Sequence, residues 1–293
     1  MIQPGCLALL SDFGLSDPYV GIMKGVIAQI NPHLTVIDLT HQIPPQNVAF
    51  ARFVLMTAYP YFPSGTVYVA VVDPGVGSHR RAIAIATGTN PAQPSGILVG
   101  PDNGLFSGVL SQNPVIAAVE LTRPEYWRTP EPSSTFHGRD IFAPVGAHLA
   151  SGVALETLGA AIAPDTLVNL SPPAVQIEKL DNGTTAITGV IQATDHFGNL
   201  ITNISAAEVS ETEWVVLIGN LEIPGHQTYS NASVGELLAL VGSHGWVEIA
   251  VNRGNAQAKL RLNEGDGVRV VGRMKGERKK GREIQSPESK NQD

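Results

Sequence analysis

The chain has 293 residues, near the length at which one hydrophobic core stops growing, so the composition (43% hydrophobic) leads us to expect two domains. A formal net charge of −7 and a pI near 5.6 exclude the basic face of a general nucleic-acid binder. Cys6 is the single cysteine, which excludes an internal disulfide and a thiolate metal cluster. "CLALL" stops at Ser11-Asp12, so neither a signal peptide nor an apolar run of about 20 residues is expected. The expectation is a cytoplasmic protein with no membrane contact.

From residue 5 to about 160, strand-like runs alternate with helical ones. "CLALLSDFG" reads as a strand entering a loop, and "DPYVGIMKGVIAQI" as a helix whose Asp17-Pro18 suits an N-cap and first turn. "LTVIDLT" is the next strand and "NVAFARFVLMTAYPYF" the next helix, followed by strands "GTVYVAVVD", "RAIAIAT" and "GILVGPD". "GRDIFAPVGAHLASG" closes the region as a helix. This alternation implies an α/β sandwich around a mostly parallel sheet, over residues 1–170.

Proline-rich "LSPPAV" breaks the rhythm and opens a linker at 171–185, in which "LDNGTTA" carries an Asn-Gly turn signal. Across 186–273 the segments "TAITGVIQATDHFGNLITNI", "WVVLIGN", "WVEIAVN" and "GDGVRVVG" are short, β-branched and punctuated by Gly and Asn. They imply a smaller, all-β, barrel-like domain. "SVGELLALVG" reads as an amphipathic helix interrupting it. The tail from 274 to 293 is polar with a basic cluster, and a disordered segment is expected there.

Polar residues gather where apolar runs end, in "LLSDFGLSDPY", "VVDPGVGSHR", "VGPDNGLF" and "STFHGRDIF". In an open α/β sheet those ends share one edge, which is where ligands bind. Asp12, Asp17, Asp73, Arg80, Asp102, Asn103, His137 and Asp140 are the candidates to meet there. Any single Asp or Asn among them can simply shape a turn. Turn chemistry does not account for a His and an Arg arriving at the same edge. The glycine-rich turn after Asp73 should fold Arg80 back toward the strand end, while His79 and Arg81 are expected at the surface.

Four familiar motifs are missing. "GVGSHR" has Arg80 where G-x-G-x-x-G needs its third glycine, and neither a P-loop, an H-E-x-x-H nor a G-x-S-x-G is present. The carboxylates with one His leave a divalent-metal phosphohydrolase or nucleosidase open as an alternative.

The ordered motifs "LLSDFGLSDPYVGIMKGVI", "VVDPGVGSHRR", "GPDNGLF", "TFHGRDIFAP", "TDHFGNLITNI" and "WVEIAVNRGNA" resemble the S-adenosyl-L-methionine (SAM) hydrolase, or hydroxide adenosyltransferase, family, homologous to fluorinase and chlorinase. The resemblance spans about residues 5 to 273. It implies attack of water at C5′ of SAM, releasing L-methionine and adenosine, without metal or other cofactor. Methionine departs from a sulfonium as a neutral thioether, so the protein needs a water-activating group and alignment rather than an acid.

By the resemblance, Asp73, Arg80 and His137 handle the water, Asp12 grips the ribose diol, and Asp17 and Asp195 hold the methionine ammonium. Ser243 neighbours its carboxylate, Asn199 faces adenine, Phe197 and Tyr229 wall the base, and Asn252 reads it. The family assembles as a homotrimer with sites at subunit interfaces. Asp73 and His137 stand where the halogenating relatives carry Tyr, and Gly138 where they carry a halide-holding Ser, which argues against halide use. Gln46 replaces a pocket Trp and His244 an Arg near the substrate carboxylate. A non-catalytic sensor of adenosyl ligands is the remaining alternative, one that has no need of Asp73, Arg80 and His137 together.

Overall fold

The computed structural model describes residues 5–181, 183–209 and 213–273. The expected disordered tail lies outside them, as does Asn182 of the expected turn. The chain divides into two compact units, Met1–Pro172 and Pro173–Asp293.

In the first unit, β1 (Cys6–Ser11), α1 (Tyr19–Ile30), β2 (Thr35–Thr40), α2 (Val48–Ala58), β3 (Thr66–Val71), β4 (Ala82–Thr87) and β5 (Gly96–Pro101) follow the expected order. Then come α3 (Ser107–Leu110), β6 (Val115–Leu121), α4 (Ala143–Ala150) and β7 (Gly159–Ala161). The strands form one sheet in the order β2-β1-β3-β5-β4-β6-β7. Pairing is parallel across β2, β1, β3 and β5, and antiparallel from β5 through β4 and β6 to β7. Five strands therefore point one way, with β4 and β7 reversed.

Alternate residues of each strand feed opposite cores. Leu7, Leu9, Val67 and Val69 pack under Met23 and Ile27 of α1 and Val145 and Leu149 of α4. Ala8, Leu10, Tyr68 and Ala70 pack under Ala51 and Leu55 of α2 and Val109 of α3. Burial on both faces explains why the strands read as unbroken apolar runs.

The second unit is a β-barrel. It contains β8 (Gln176–Lys179), β9 (Thr185–Thr194), β10 (Leu200–Ser205), α5 (Ala206–Val209), β11 (Glu213–Ile218), β12 (Leu221–His226), β13 (Leu237–Val241), β14 (Trp246–Val251), α6 (Ala256–Leu260) and β15 (Gly267–Arg273). The order β10-β14-β13-β12-β11-β15-β9 closes on itself through the β9–β10 pair, and β8 adds to β9 outside the ring. Closure leaves no free edge among those seven strands.

One expectation is overturned here. "SVGELLALVG" is not a helix: Leu237–Val241 is β13, in antiparallel register with β14 from Leu237↔Val251 to Val241↔Val247. Leu238, Ala239 and Leu240 are all buried, so the run has no polar face. A five-residue apolar run between Gly235 and Gly242 suits a buried strand, and the helical period in it was accidental.

Candidate active site

Strands β1, β3 and β5 are parallel, so their carboxyl ends reach one edge, while β4, running oppositely, begins there. Asp12, Asp73 and Asp102 thus follow strand ends and Arg80-Arg81 precede a strand start at the same edge. The chain turns from β1 to β2 on one side and returns to β3 on the other, opening a crevice at the switch point. A cavity of about 400 Å³ lies there, lined by Asp12, Phe13, Tyr19, Gln46, Asp73 and His137 among others.

The segment after β3 is folded by its own polar groups. Val76 N–H donates to Asp73 C=O (3.2 Å), Ser78 Oγ to Gly75 C=O (2.6 Å), and Arg80 N–H to Ser78 Oγ (3.3 Å). Gly77 sits at φ +75°, and a Cβ there would stand 2.4 Å from the Ser134 carbonyl oxygen. The turn returns Arg80 to the strand end, as the spacing implied. Arg80 Nε donates to Asp73 Oδ1 and Oδ2 (2.9 and 3.1 Å), and Nη2 donates to Oδ2. Nη2 also meets His137 Nδ1 at 2.7 Å, and the guanidinium lies 5.3 Å from the centre of the Phe142 ring.

Arginine has no acceptor, so His137 Nδ1 must accept this bond and the ring proton of the neutral imidazole resides on Nε2. Burial, then the Arg80 charge, hold the His137 pKa below its ordinary value, against the pull of Asp73 and Asp140. His137 caps the start of a single π-helical turn, Gly138–Phe142, that leads into α4. Asp140, fully buried in that turn, accepts from Arg128 Nε (2.5 Å), Arg139 Nε and Nη2 (2.7 and 2.8 Å) and Ser133 N–H (2.9 Å). These bonds outweigh its burial and hold the carboxyl far below the usual range.

Asp12 Oδ2 accepts from the Gln46 backbone N–H at 2.8 Å, with Gln46 at φ +66°. The other edge residues serve the frame. Asn103 Nδ2 donates to Val72 C=O (2.8 Å), and Asp102 accepts from Arg81 Nε and Nη2 and from Val168 N–H. Arg81, expected at the surface, is instead a clamp between Asp102 and Thr166, because β4 begins beside the end of β5. His79 is exposed as expected, and Asp17 is exposed and lies outside the cavity lining.

In the second unit, Phe197, Asn199 and Tyr229 line a cavity of about 510 Å³ with Val251, Arg253, Gly254 and Asn255. Phe197 is 70% exposed and Tyr229 42%, far more than core packing would leave. Asp195 accepts from Phe197 N–H (2.9 Å), Asn199 N–H (2.8 Å) and Asn199 Nδ2 (2.9 Å). About four lone-pair directions are available to a carboxylate, so most are already spent on shaping this loop. Asn252 Nδ2 donates to Ala232 C=O (2.8 Å), and Ser243 is exposed beyond β13. Tyr229 Oη donates to Glu248 Oε1 (2.7 Å), and burial with that carboxylate pushes the phenol pKa up.

Sequence reasoning missed Phe13, Tyr19 and Phe136, whose rings meet at centroid distances of 5.2–5.8 Å beside Asp12 and His137. The available signal was their place inside the polar motifs themselves. Among the described residues, no group of three His, Cys, Asp or Glu side chains could hold a metal ion, and no helix is long and apolar enough to cross a membrane.

Comparison with known proteins bears on both units. A family model described as the SAM hydroxide adenosyltransferase N-terminal domain matches residues 7–159, and one described as the C-terminal domain of the same family matches residues 189–269. The (R)-S-adenosyl-L-methionine hydrolase of Salinispora arenicola is 41% identical over 266 residues, covering 90% of this chain and 97% of that protein. A fluorinase of Actinopolyspora mzabensis is 29% identical over 293 residues, covering 90% and 96%. The crystal structure of an uncharacterized conserved protein from Thermotoga maritima superposes with a TM-score of 0.81 at 36% identity, covering 90% of this chain and 99% of that one.

Proposed function

The chain belongs to the SAM hydroxide adenosyltransferase family, and from that premise we propose that it hydrolyses (R)-S-adenosyl-L-methionine to adenosine and L-methionine. The observation that carries this reading is the Asp73–Arg80–His137 group at a cavity shared with Asp12, in a chain 41% identical to a hydrolase of that name. A volume of about 400 Å³ falls within the range of small-molecule sites, which run from about 300 to 1,000 Å³.

Water attacks C5′ in line with the C5′–S bond. That bond breaks with its electron pair going to sulfur, the sulfonium becomes the neutral thioether of methionine, and the water oxygen becomes the 5′-hydroxyl. One proton must leave. His137 is poorly placed to take it, since Nδ1 is occupied by Arg80 and Nε2 already carries the ring proton. Asp73 Oδ1 accepts a single bond from Arg80 and keeps a second lone-pair direction, so Asp73 accepts the proton there and passes it to solvent, Arg80 stabilises the forming hydroxide, and His137 orients through its Nε2–H.

Asp12 takes the ribose diol. Phe197, Asn199, Tyr229 and Asn252 take the adenine. Asp17 and Ser243 take the amino-acid end, with Asp195 contributing its remaining acceptor while holding Phe197 and Asn199. Homotrimeric assembly, with sites at subunit interfaces, is part of the same reading. Light scattering should give about three times the 31.0 kDa chain mass. A monomer that turns over at full rate would contradict it.

The product test uses (R)- and (S)-SAM separately, with EDTA present. Adenosine and methionine should appear in equal amounts, faster from the (R) epimer. Release of adenine, or tight binding without turnover, would overturn the proposal.

A further inference from the structure

Apart from the Asp73–Arg80–His137 group, the first unit contains a Ser–His–Asp chain. Ser11, the last residue of β1, places Oγ 2.7 Å from His41 Nδ1. His41 Nε2 lies 3.1 Å from Asp38 Oδ1, and Lys24 Nζ of α1 donates to Asp38 Oδ2 at 2.6 Å. Ser11 Oγ accepts from Phe13 N–H at 3.3 Å, which leaves its own proton for His41 Nδ1. Asp38 can only accept, so His41 Nε2 carries the proton of that bond and donates it to Asp38. Burial pushes the Asp38 carboxyl up, but the bonds and charges of Lys24 and His41 outweigh it and keep the pKa below its ordinary value.

This order of groups is that of a nucleophilic triad, yet Ser11 is 0% exposed and His41 only 3%. A substrate cannot reach that hydroxyl. What the chain does reach is the loop carrying Asp12. Phe13 N–H is held by Ser11 Oγ, Gly14 N–H donates to His41 C=O at 2.7 Å, and Gln46, five residues after His41, holds Asp12 Oδ2 through its backbone. The residue before Asp12 and the two after it are therefore tied to His41, directly or through Ser11.

We infer that Ser11, His41 and Asp38 are positioning residues that orient the Asp12 carboxylate toward a ligand's vicinal diol. The chain acts as an outer support for a binding carboxylate, fixed at its exposed end by Lys24. This inference rests on the reading of Asp12 as the ribose-binding group.

Calorimetric titration with adenosine and with 2′,3′-dideoxyadenosine separates the two ideas, because only the first ligand carries the diol. Asp12→Ala should lose adenosine affinity by about a hundredfold, and Ser11→Ala by about tenfold, with dideoxyadenosine binding unchanged in both. Asp38→Ala should move in the same direction by about threefold, and its side chain is 39% exposed, so it serves as the test if Ser11→Ala does not fold. Equal weakening of both ligands in Ser11→Ala and Asp38→Ala would show a general structural role and overturn the inference. Wild-type preference in those variants, alongside a lost preference in Asp12→Ala, would overturn it while sparing the Asp12 reading. Wild-type preference in Asp12→Ala would remove that reading and the inference with it.

Discussion

Arg80 donates to a carboxylate on one side and an imidazole on the other, and that arrangement sets the protonation of His137. A proton added at Nδ1 would face the guanidinium and lose the 2.7 Å contact. The lowered His137 pKa, caused first by burial and then by Arg80, expresses the same conflict. The neutral form persists as pH falls below the ordinary value of 6.5, so activity that depends on it should persist as well. The acid limb of kcat/KM should accordingly lie below pH 6.5 in wild type. A limb at or above that value would mean that the imidazole must first lose a proton held more tightly than this geometry allows. Arg81, one residue on, does unrelated work as a clamp on Asp102.

Elements bring these residues to one place. The strand ends were legible in the sequence because runs such as "GTVYVAVVD" are buried on both faces and stop abruptly at Asp73. The returning turn was legible from Gly75 and Gly77. The loop 128–140 was less so: nothing in "STFHGRDIF" announces that Asp140 is consumed by two arginines and a backbone amide, since an Asp before a helix suits an N-cap equally well. β6 and α3 went unread, and β13 was misread, because short apolar runs carry no reliable period. The Asp140 cluster also gives the element scale its test. Asp140→Asn removes a buried charged acceptor while Arg128 and Arg139, 40% and 28% exposed, can turn to solvent, so urea unfolding should show a loss of about 1.5–3 kcal/mol. A change under about 0.5 kcal/mol would mean that the turn carrying His137 is held by other contacts.

At the scale of the whole molecule, the chain contains an α/β unit bearing the Asp73–Arg80–His137 group and a β-barrel unit bearing an exposed aromatic cavity. Both family models match, one to each unit, and the 41% identical hydrolase is covered almost end to end. The central claim is that water, activated by Asp73, attacks C5′ of SAM. The measurement that tests it most directly is turnover of (R)-SAM in oxygen-18 water with EDTA present, with wild type beside Asp73→Asn and both products read by mass spectrometry. Adenosine should carry one heavy oxygen on C5′, methionine should be unlabelled, and the rate should be at least about a hundredfold lower in the variant. Unlabelled adenosine, or a variant as fast as wild type, would contradict it.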